Sequence, residues 1–382
     1  MDLHIETIIA DIIKIANYPT HSVIPRLIIK LFPNVNVCTS IKDHTWYTFK
    51  GHYWTKCDDK LEWSEYIKND LCKYFINARN YLEKLTNVFG TIDDFKKVLY
   101  PQLTSVQKAI ELLNGYSFWH KVIREYAVLT YRPNFVDNLD SNPALICFTN
   151  GIYDADQNVF RNGRPEDYVS RCVGYEYVPF DKKNPIARDI KKFLSELQPN
   201  KGMRQYLMRA LSNCLNPNNK ENICVFYGTG SNGKTTLTNL LYHTLAILCK
   251  KMDPALLNNL EFGKNNRAST NNKSSNASKA SKASKAWIFD DVSGTNFNLR
   301  ETIRKIATLY YEKPPMDYDS KVNLFILTNL PPRADDEDSR TYLKIIPFPE
   351  RFDKCIDYTE RIKSWAPTFM GLLIKYYAKY KN

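Results

Sequence analysis

Residues Gly228, Thr229, Gly230, Ser231, Asn232, Gly233, Lys234 and Thr235 form a complete G-x-x-x-x-G-K-[ST] loop. The chemistry such a loop performs is the holding of a polyphosphate. Its glycines let the backbone curl so that consecutive N–H groups point at an anion, at a helix start that already favours negative charge. Lys234 is expected to reach the β- and γ-phosphates, the Thr235 hydroxyl to ligate Mg²⁺, and Gly233 to allow close backbone approach, with Thr236 as the next contact. A chance match is the competing reading, and it is weak in a chain with only 13 glycines among 382 residues. Context weakens it further. Ile223 to Tyr227 (ICVFY) reads as a buried parallel strand, and Leu237, Leu240, Leu241, Thr244, Leu245 and Leu248 then recur at helical spacing. ATP with Mg²⁺ is the expected cofactor pair.

Other residues must decide what is done with the phosphates. The next apolar run, Ala286 to Phe289, ends in Asp290-Asp291. Acids at a strand end after a phosphate loop can hold Mg²⁺ and polarise an attacking water. Asp290 is assigned chiefly to the metal and Asp291 chiefly to the catalytic base, although the two could exchange. A third run, Val322 to Leu327, leads into Thr328-Asn329. Asn329 is the candidate sensor of the γ-phosphate or of the water aimed at it; the competing reading is a turn cap. Beyond an acidic stretch lies Arg340, then a strand from Tyr342 to Phe348. A planar guanidinium suits the charge that spreads over transferring phosphate oxygens.

The elements that must position these residues read as an α/β protein. Length favours two or three domains. Residues 1 to about 35 suggest amphipathic helices broken near Pro19 and Pro33, and His44 to Trp54 (HTWYTFKGHYW) suggests a hairpin around Lys50-Gly51. Trp46, Phe49 and Trp54 read as hairpin core rather than a ligand cage. Helical patterning runs from Leu61 to about Tyr131, short strands from Pro143 to Tyr177, and helix again from about Pro185 to Leu215. Lys264 to Ala286 is rich in Ser, Asn, Ala and Lys, repeats Ser-Lys-Ala and contains no acid. It reads as an insertion, either a solvated linker or a phosphate-touching loop. The expected division is a mainly helical, α+β N-terminal domain at 1–180 and an ATPase domain at 181–382.

Composition sets broader limits. A net charge of +12 favours a polyanionic partner without proving one. There is no run of eighteen apolar residues, and the N-terminus carries acids early, so neither a membrane span nor a secretory signal is expected. A cytoplasmic setting, that of a host if the protein is viral, or a nuclear one follows. Nine scattered cysteines without a C-x-x-C pair argue against a disulfide framework and a zinc site.

The set YGTGSNGKTTL, WIFDDVSG, LFILTNLPP and SRTYLKIIPFPERF, in that order, resembles the superfamily 3 helicases, above all the poxvirus-type and phage or plasmid primase-helicase branch. FTNGIYDADQNVFRNGRPEDYVSRCVGYEY and the lead-in IKKFLSELQPNKGMRQYLMRALSNCL add to it, and the likeness spans about residues 44 to 355. The resemblance implies an AAA+-like P-loop core and ATP between neighbouring subunits of a ring, usually a hexamer. Arg340 would then act on a neighbour's nucleotide, and single-stranded or forked DNA would pass through a pore. The pore region falls within about Arg300 to Lys321, where Arg304, Lys305, Lys313 and Lys321 are the basic candidates. The usual glycine-containing stretch is replaced there by ATLYYEKPPMDYDSK. Longer relatives carry a primase module ahead of this region, and the first 45 residues are too short for one. A motor without priming activity, partnered by a separate primase or polymerase, is therefore expected. The insertion falls where a second core strand is normal, so a strand near Glu261-Phe262 or an unusual local structure is expected. Two other readings compete: a double-stranded DNA translocase or packaging motor, and an origin or scaffold factor that binds ATP only to assemble.

Overall fold

The computed structural model describes residues 3–57, 60–89, 92–216, 223–254, 284–292, 322–329, 343–349 and 358–380. They form two compact units. Residues 1–50 and 54–138 make the first, and 51–53 with 139–382 the second. The contact boundary lies at Asn138/Leu139, not at 180 as the sequence suggested. The reason is tertiary: Ala144, Ile146, Phe148 and Tyr153 belong to the same buried cluster as Phe193, Leu211 and Phe226.

The first unit is mainly helical. Its elements are α1 (Leu3–Ala16), α2 (Ile24–Leu31), β1 (Asn36–Ser40), β2 (Thr45–Phe49), β3 (Trp54–Cys57), α3 (Lys60–Phe89), α4 (Asp93–Asn114), α5 (Tyr116–Leu129) and α6 (Phe135–Asn138). The aromatic segment is the expected hairpin: β2 pairs antiparallel with β3, Phe49 opposite Trp54, and β1 adds a third strand. Trp46 is buried and stacks on Tyr126, centroids 5.8 Å apart, while Trp54 packs on Phe135 at 4.9 Å. These rings fill a core.

In the second unit β4 (Leu145–Phe148), β5 (Gly151–Asp154) and β6 (Val159–Arg161) form an antiparallel sheet. Two helices follow, α7 (Pro185–Leu197) and α8 (Lys201–Ser212). Asn184 caps α7 by accepting the Ile186 N–H at 2.9 Å, and Asn200 caps α8 by accepting that of Met203 at 3.0 Å. The remaining elements are β7 (Ile223–Tyr227), α9 (Lys234–Leu245), β8 (Cys249–Met252), β9 (Ala286–Phe289), β10 (Asn323–Thr328), β11 (Leu343–Pro347) and α10 (Thr359–Tyr380). The five strands β7 to β11 form one parallel sheet in the order β11-β7-β10-β9-β8. Alternate residues feed two cores. Cys224, Phe226, Ile288, Phe325 and Leu327 join a cluster that includes residues of α7 to α10, whereas Ile223, Val225, Trp287, Phe289, Leu324 and Ile326 form another. Burial on both sides explains why the central strands β7, β9 and β10 are mostly apolar.

The strand beside β9 is β8, which directly follows α9 and a short 3₁₀ turn and precedes the insertion. The helical leucine pattern was expected to include Leu248, but α9 ends at Leu245 and Ala246 takes a positive φ of 47°. Glu261-Phe262 lie outside the described residues, as does most of 264–286.

The residue that closes that insertion is a buried lysine. Lys285 donates its ammonium hydrogens to the carbonyls of Leu215 (2.9 Å) and Pro143, and its own backbone bonds Leu248 and Asn323. Burial pushes its pKa down to about 7. Between pH 7 and the unfolded value near 10.4 the folded chain therefore binds fewer protons than the unfolded one, so this group makes stability rise with pH. Urea unfolding between pH 7 and 8.5 is expected to lose up to about 1.4 kcal/mol per pH unit of slope in Lys285→Met. An unchanged slope would mean that Lys285 is fully charged in the fold.

Candidate nucleotide site

Three strands deliver the expected residues to one end of the parallel sheet. Register pairs Thr328 with Tyr227 and Ile326 with Phe289, so the segments that follow β7, β10 and β9 emerge side by side. They surround an open cavity of about 370 Å³ lined by Gly230, Ser231, Asn232, Gly233, Lys234, Thr235, Thr236, Asp290, Asp291, Leu327, Thr328 and Asn329. Thr229 is exposed and absent from the lining, and Gly228 sits just behind it.

Loop geometry follows from sequence. Gly230 and Gly233 have φ of 98° and 77°, values that favour glycine, and Ser231 between them is at 52°. Gly228 is demanded by space: a Cβ there would lie 2.0 Å from Asn232 Nδ2 and 2.5 Å from the Phe348 carbonyl oxygen. Asn232 itself donates to Phe348 O at 3.0 Å, and Gly228 N–H to Thr328 O at 3.2 Å. The loop is thus tied to the ends of both neighbouring strands. Because Lys234 opens α9, the first amides of that helix lack an acceptor four residues back and face the cavity end.

Lys234 is buried at 6% exposure. Its Nζ donates to Gly228 O at 2.6 Å, Asn232 Oδ1 at 3.0 Å and Asn329 Oδ1 at 3.4 Å. Desolvation lowers its pKa, and Asp290 and Asp291 oppose that shift by favouring the cation. The Thr235 hydroxyl donates to Asp290 Oδ1 at 3.4 Å. Asp291 takes the left-handed conformation, φ 56°, which an aspartate tolerates better than most residues.

The donor set suits Mg²⁺. Thr235 and Asp290 offer two hard oxygens within reach of each other, as expected for an ion that takes one or two protein ligands and completes its shell with phosphate and water. Among the described residues no group of three or more His, Cys, Asp or Glu could hold a metal alone. Lys234, Thr235, Asp290, Asp291 and Asn329 are thus brought together. Arg340, Arg304, Lys305, Lys313 and Lys321 lie outside the described residues. Sequence reasoning placed Asn232 among the phosphate contacts and missed its bond to Phe348, because a variable loop position carries no signal for a partner 116 residues away.

Comparison with known proteins adds to this geometry. Residues 26–199 match the family described as D5 N terminal like. The chain is 32% identical to "Putative helicase L207/L206" of Acanthamoeba polyphaga mimivirus over 97% of its own length and 41% of that protein's. It is 23% identical to "Putative helicase 121R" of Invertebrate iridescent virus 3, over 59% of this chain and 26% of that one. Likeness to "Putative primase C962R" of African swine fever virus is 27% over 47% of this chain and 17% of that protein. The chain thus spans less than half the length of these relatives. Among solved structures the NrS-1 C-terminal region gives a TM-score of 0.36 at 16% identity, over 53% of this chain and 47% of that one, too low to bear on the fold. Among the described residues no helix is long and apolar enough to cross a membrane. The match to the D5 N terminal like family takes in most of the first unit and runs through β4 to β6 and α7 of the second, and the viral relatives that share sequence with this chain are named as putative helicases and primases.

Proposed function

We propose that this chain is the motor of an ATP-dependent, superfamily 3-type DNA helicase, hydrolysing ATP between subunits of a ring during viral genome replication. The observation that carries the reading is the meeting of Lys234, Thr235, Asp290, Asp291 and Asn329 at one end of three adjacent parallel strands. An AAA+-like core accounts for that arrangement. Lys234 holds the β- and γ-phosphates, and Asn329 orients the attacking water. Asp291 accepts that water's proton, and a neighbouring copy's Arg340 faces the charge that develops on the γ-phosphate. Mg²⁺, held by Thr235 and Asp290, supplies charge neutralisation when bound. DNA is assigned to the stretch containing Arg304, Lys305, Lys313 and Lys321.

Purified protein is expected to turn over ATP only with Mg²⁺, faster when single-stranded DNA is added, and to displace a strand from a forked duplex. Stimulation by duplex without displacement would instead mark a double-stranded translocase. Nucleotide-dependent assembly with no turnover would mark a scaffold factor.

A further inference from the structure

A second concave surface in the same unit has walls of cations and aromatic rings. It opens beside α7, α8 and α10, with a volume of about 590 Å³, and its lining contains no carboxylate. Its cations are Lys182, Lys191, Lys192, Arg204, Lys375 and Lys379. Two are partly engaged: Lys192 lies 3.9 Å from Glu196, and Arg204 donates to the carbonyls of Gln198 and Pro199. Among the described residues the other four have no ion-pair partner, and all four are exposed.

The arrangement is built by helix periodicity. Leu373, Ile374 and Tyr377 of α10 are buried, which leaves Lys375 and Lys379 on one outward stripe and Tyr376 and Tyr380 on the next. In α7, Lys191 and Lys192 flank the buried Ile190, Phe193 and Leu194 in the same way. Phe180, half-buried, lies beneath Lys191 (5.7 Å from Nζ to ring centre) and Lys375 (5.4 Å). Gly371 allows this, since a Cβ there would meet Val178 O at 2.7 Å and Phe180 N at 3.1 Å. Tyr376 and Tyr380 stack at 6.1 Å with 29° between planes. Lys379 sits over Tyr380, and among the described residues no cation lies over Tyr376.

We propose that this groove is a second binding site for single-stranded nucleic acid, separate from the nucleotide cavity. Lys182, Lys191, Lys375 and Lys379 take phosphates and Tyr376 stacks a base. Cations alone would suit any polyanion. Cations interleaved with half-buried rings that line the groove suit a ligand that alternates phosphates with planar bases, as single strands do. A cavity in the range of about 300–1,000 Å³ that encloses a small molecule admits a nucleotide unit rather than a double helix. The site adds a hold on the strand that does not depend on ATP turnover.

Fluorescence anisotropy of the full chain with oligo(dT) tests it. Lys191→Ala/Lys375→Ala is expected to weaken binding about tenfold near 0.1 M salt and to shallow the log–log salt slope by about 1.4, two contacts at ~0.7 each. Tyr376→Leu is expected to weaken oligo(dT) by about fivefold or more, yet leave an abasic strand of the same length unaffected. A 5-iodouracil oligonucleotide should photocrosslink to Tyr376 or Tyr380. Unchanged thermal midpoints serve as the check on folding. Unaltered affinity and slope in the double variant, or crosslinks confined to other segments, would overturn the proposal. So would polyglutamate binding as tightly as oligo(dT), which would assign the groove to an acidic polypeptide. Binding and crosslinking should persist in Lys234→Ala, so failure of the motor reading and failure of this one are separable.

Discussion

Lys234→Ala is expected to lower ATP turnover by at least about 10²- to 10³-fold, a loss of roughly 3–4 kcal/mol of transition-state stabilisation. The size follows from where the ammonium sits. It is buried at a helix start, within 3.4 Å of an oxygen on the sensor candidate Asn329, and close enough to Asp290 and Asp291 for both to favour its charge. In water such a charge would be strongly screened, whereas at a partly desolvated loop it acts on the phosphates more strongly. Alanine would also take the lysine donor from Asn232 Oδ1 and leave Gly228 O with the Gly230 N–H alone, so some loss of thermal stability should accompany the loss of turnover. Steady-state kinetics with a melting curve separates the two. Turnover within about threefold of the unmodified protein would remove phosphate handling from this site and the motor reading with it.

Asp291→Asn is expected to cut turnover about 10²- to 10⁴-fold while ATP affinity changes little, because the amide keeps the shape of the side chain but cannot accept the proton of an attacking water. Asp290→Asn should behave differently. Asp290 is the carboxylate bonded by Thr235, so its loss is expected to raise the Mg²⁺ concentration needed for half-maximal turnover. Titrating Mg²⁺ against both variants assigns the two roles. If the responses are reversed, the metal and base assignments exchange. If neither variant alters turnover, the paired acids belong to a turn, and nucleotide binding serves assembly instead.

The parts of this protein that were legible in its sequence are those whose signal is local. ICVFY, AWIF and the apolar stretch LFIL announced the central strands because a parallel strand covered on both sides is apolar over nearly its whole length. The loop announced its own turn chemistry through its glycines. What was not legible depends on distant partners. CKKM in β8 has one buried position and carries two lysines, which gives an edge strand of four residues too little pattern to notice. That contacts join β4 to β6 to the second unit was not legible either, because these strands look the same whether their apolar side meets helices before or after them. Gly371 offered no clue that its missing side chain makes room for Phe180. The spacing of Lys375, Tyr376, Lys379 and Tyr380 was visible all along, but a charged and aromatic helix face gains meaning only when α7 is seen to bring its own lysines to it.

The three oxygens around Lys234 carry a further consequence for affinity. A triphosphate that recruits this lysine competes with the protein's own carbonyl and amide groups at 2.6, 3.0 and 3.4 Å. Whatever free energy holds Lys234 to them is subtracted from the affinity a ligand displays, just as a minority binding-competent form lowers an apparent constant. Asn329 is the one internal rival that belongs to a different strand. The bond takes only its Oδ1, so under the proposed motor reading the amide N–H₂ stays available to donate to a γ-phosphate oxygen, and the side chain that competes for the lysine can report on the phosphate from its other end.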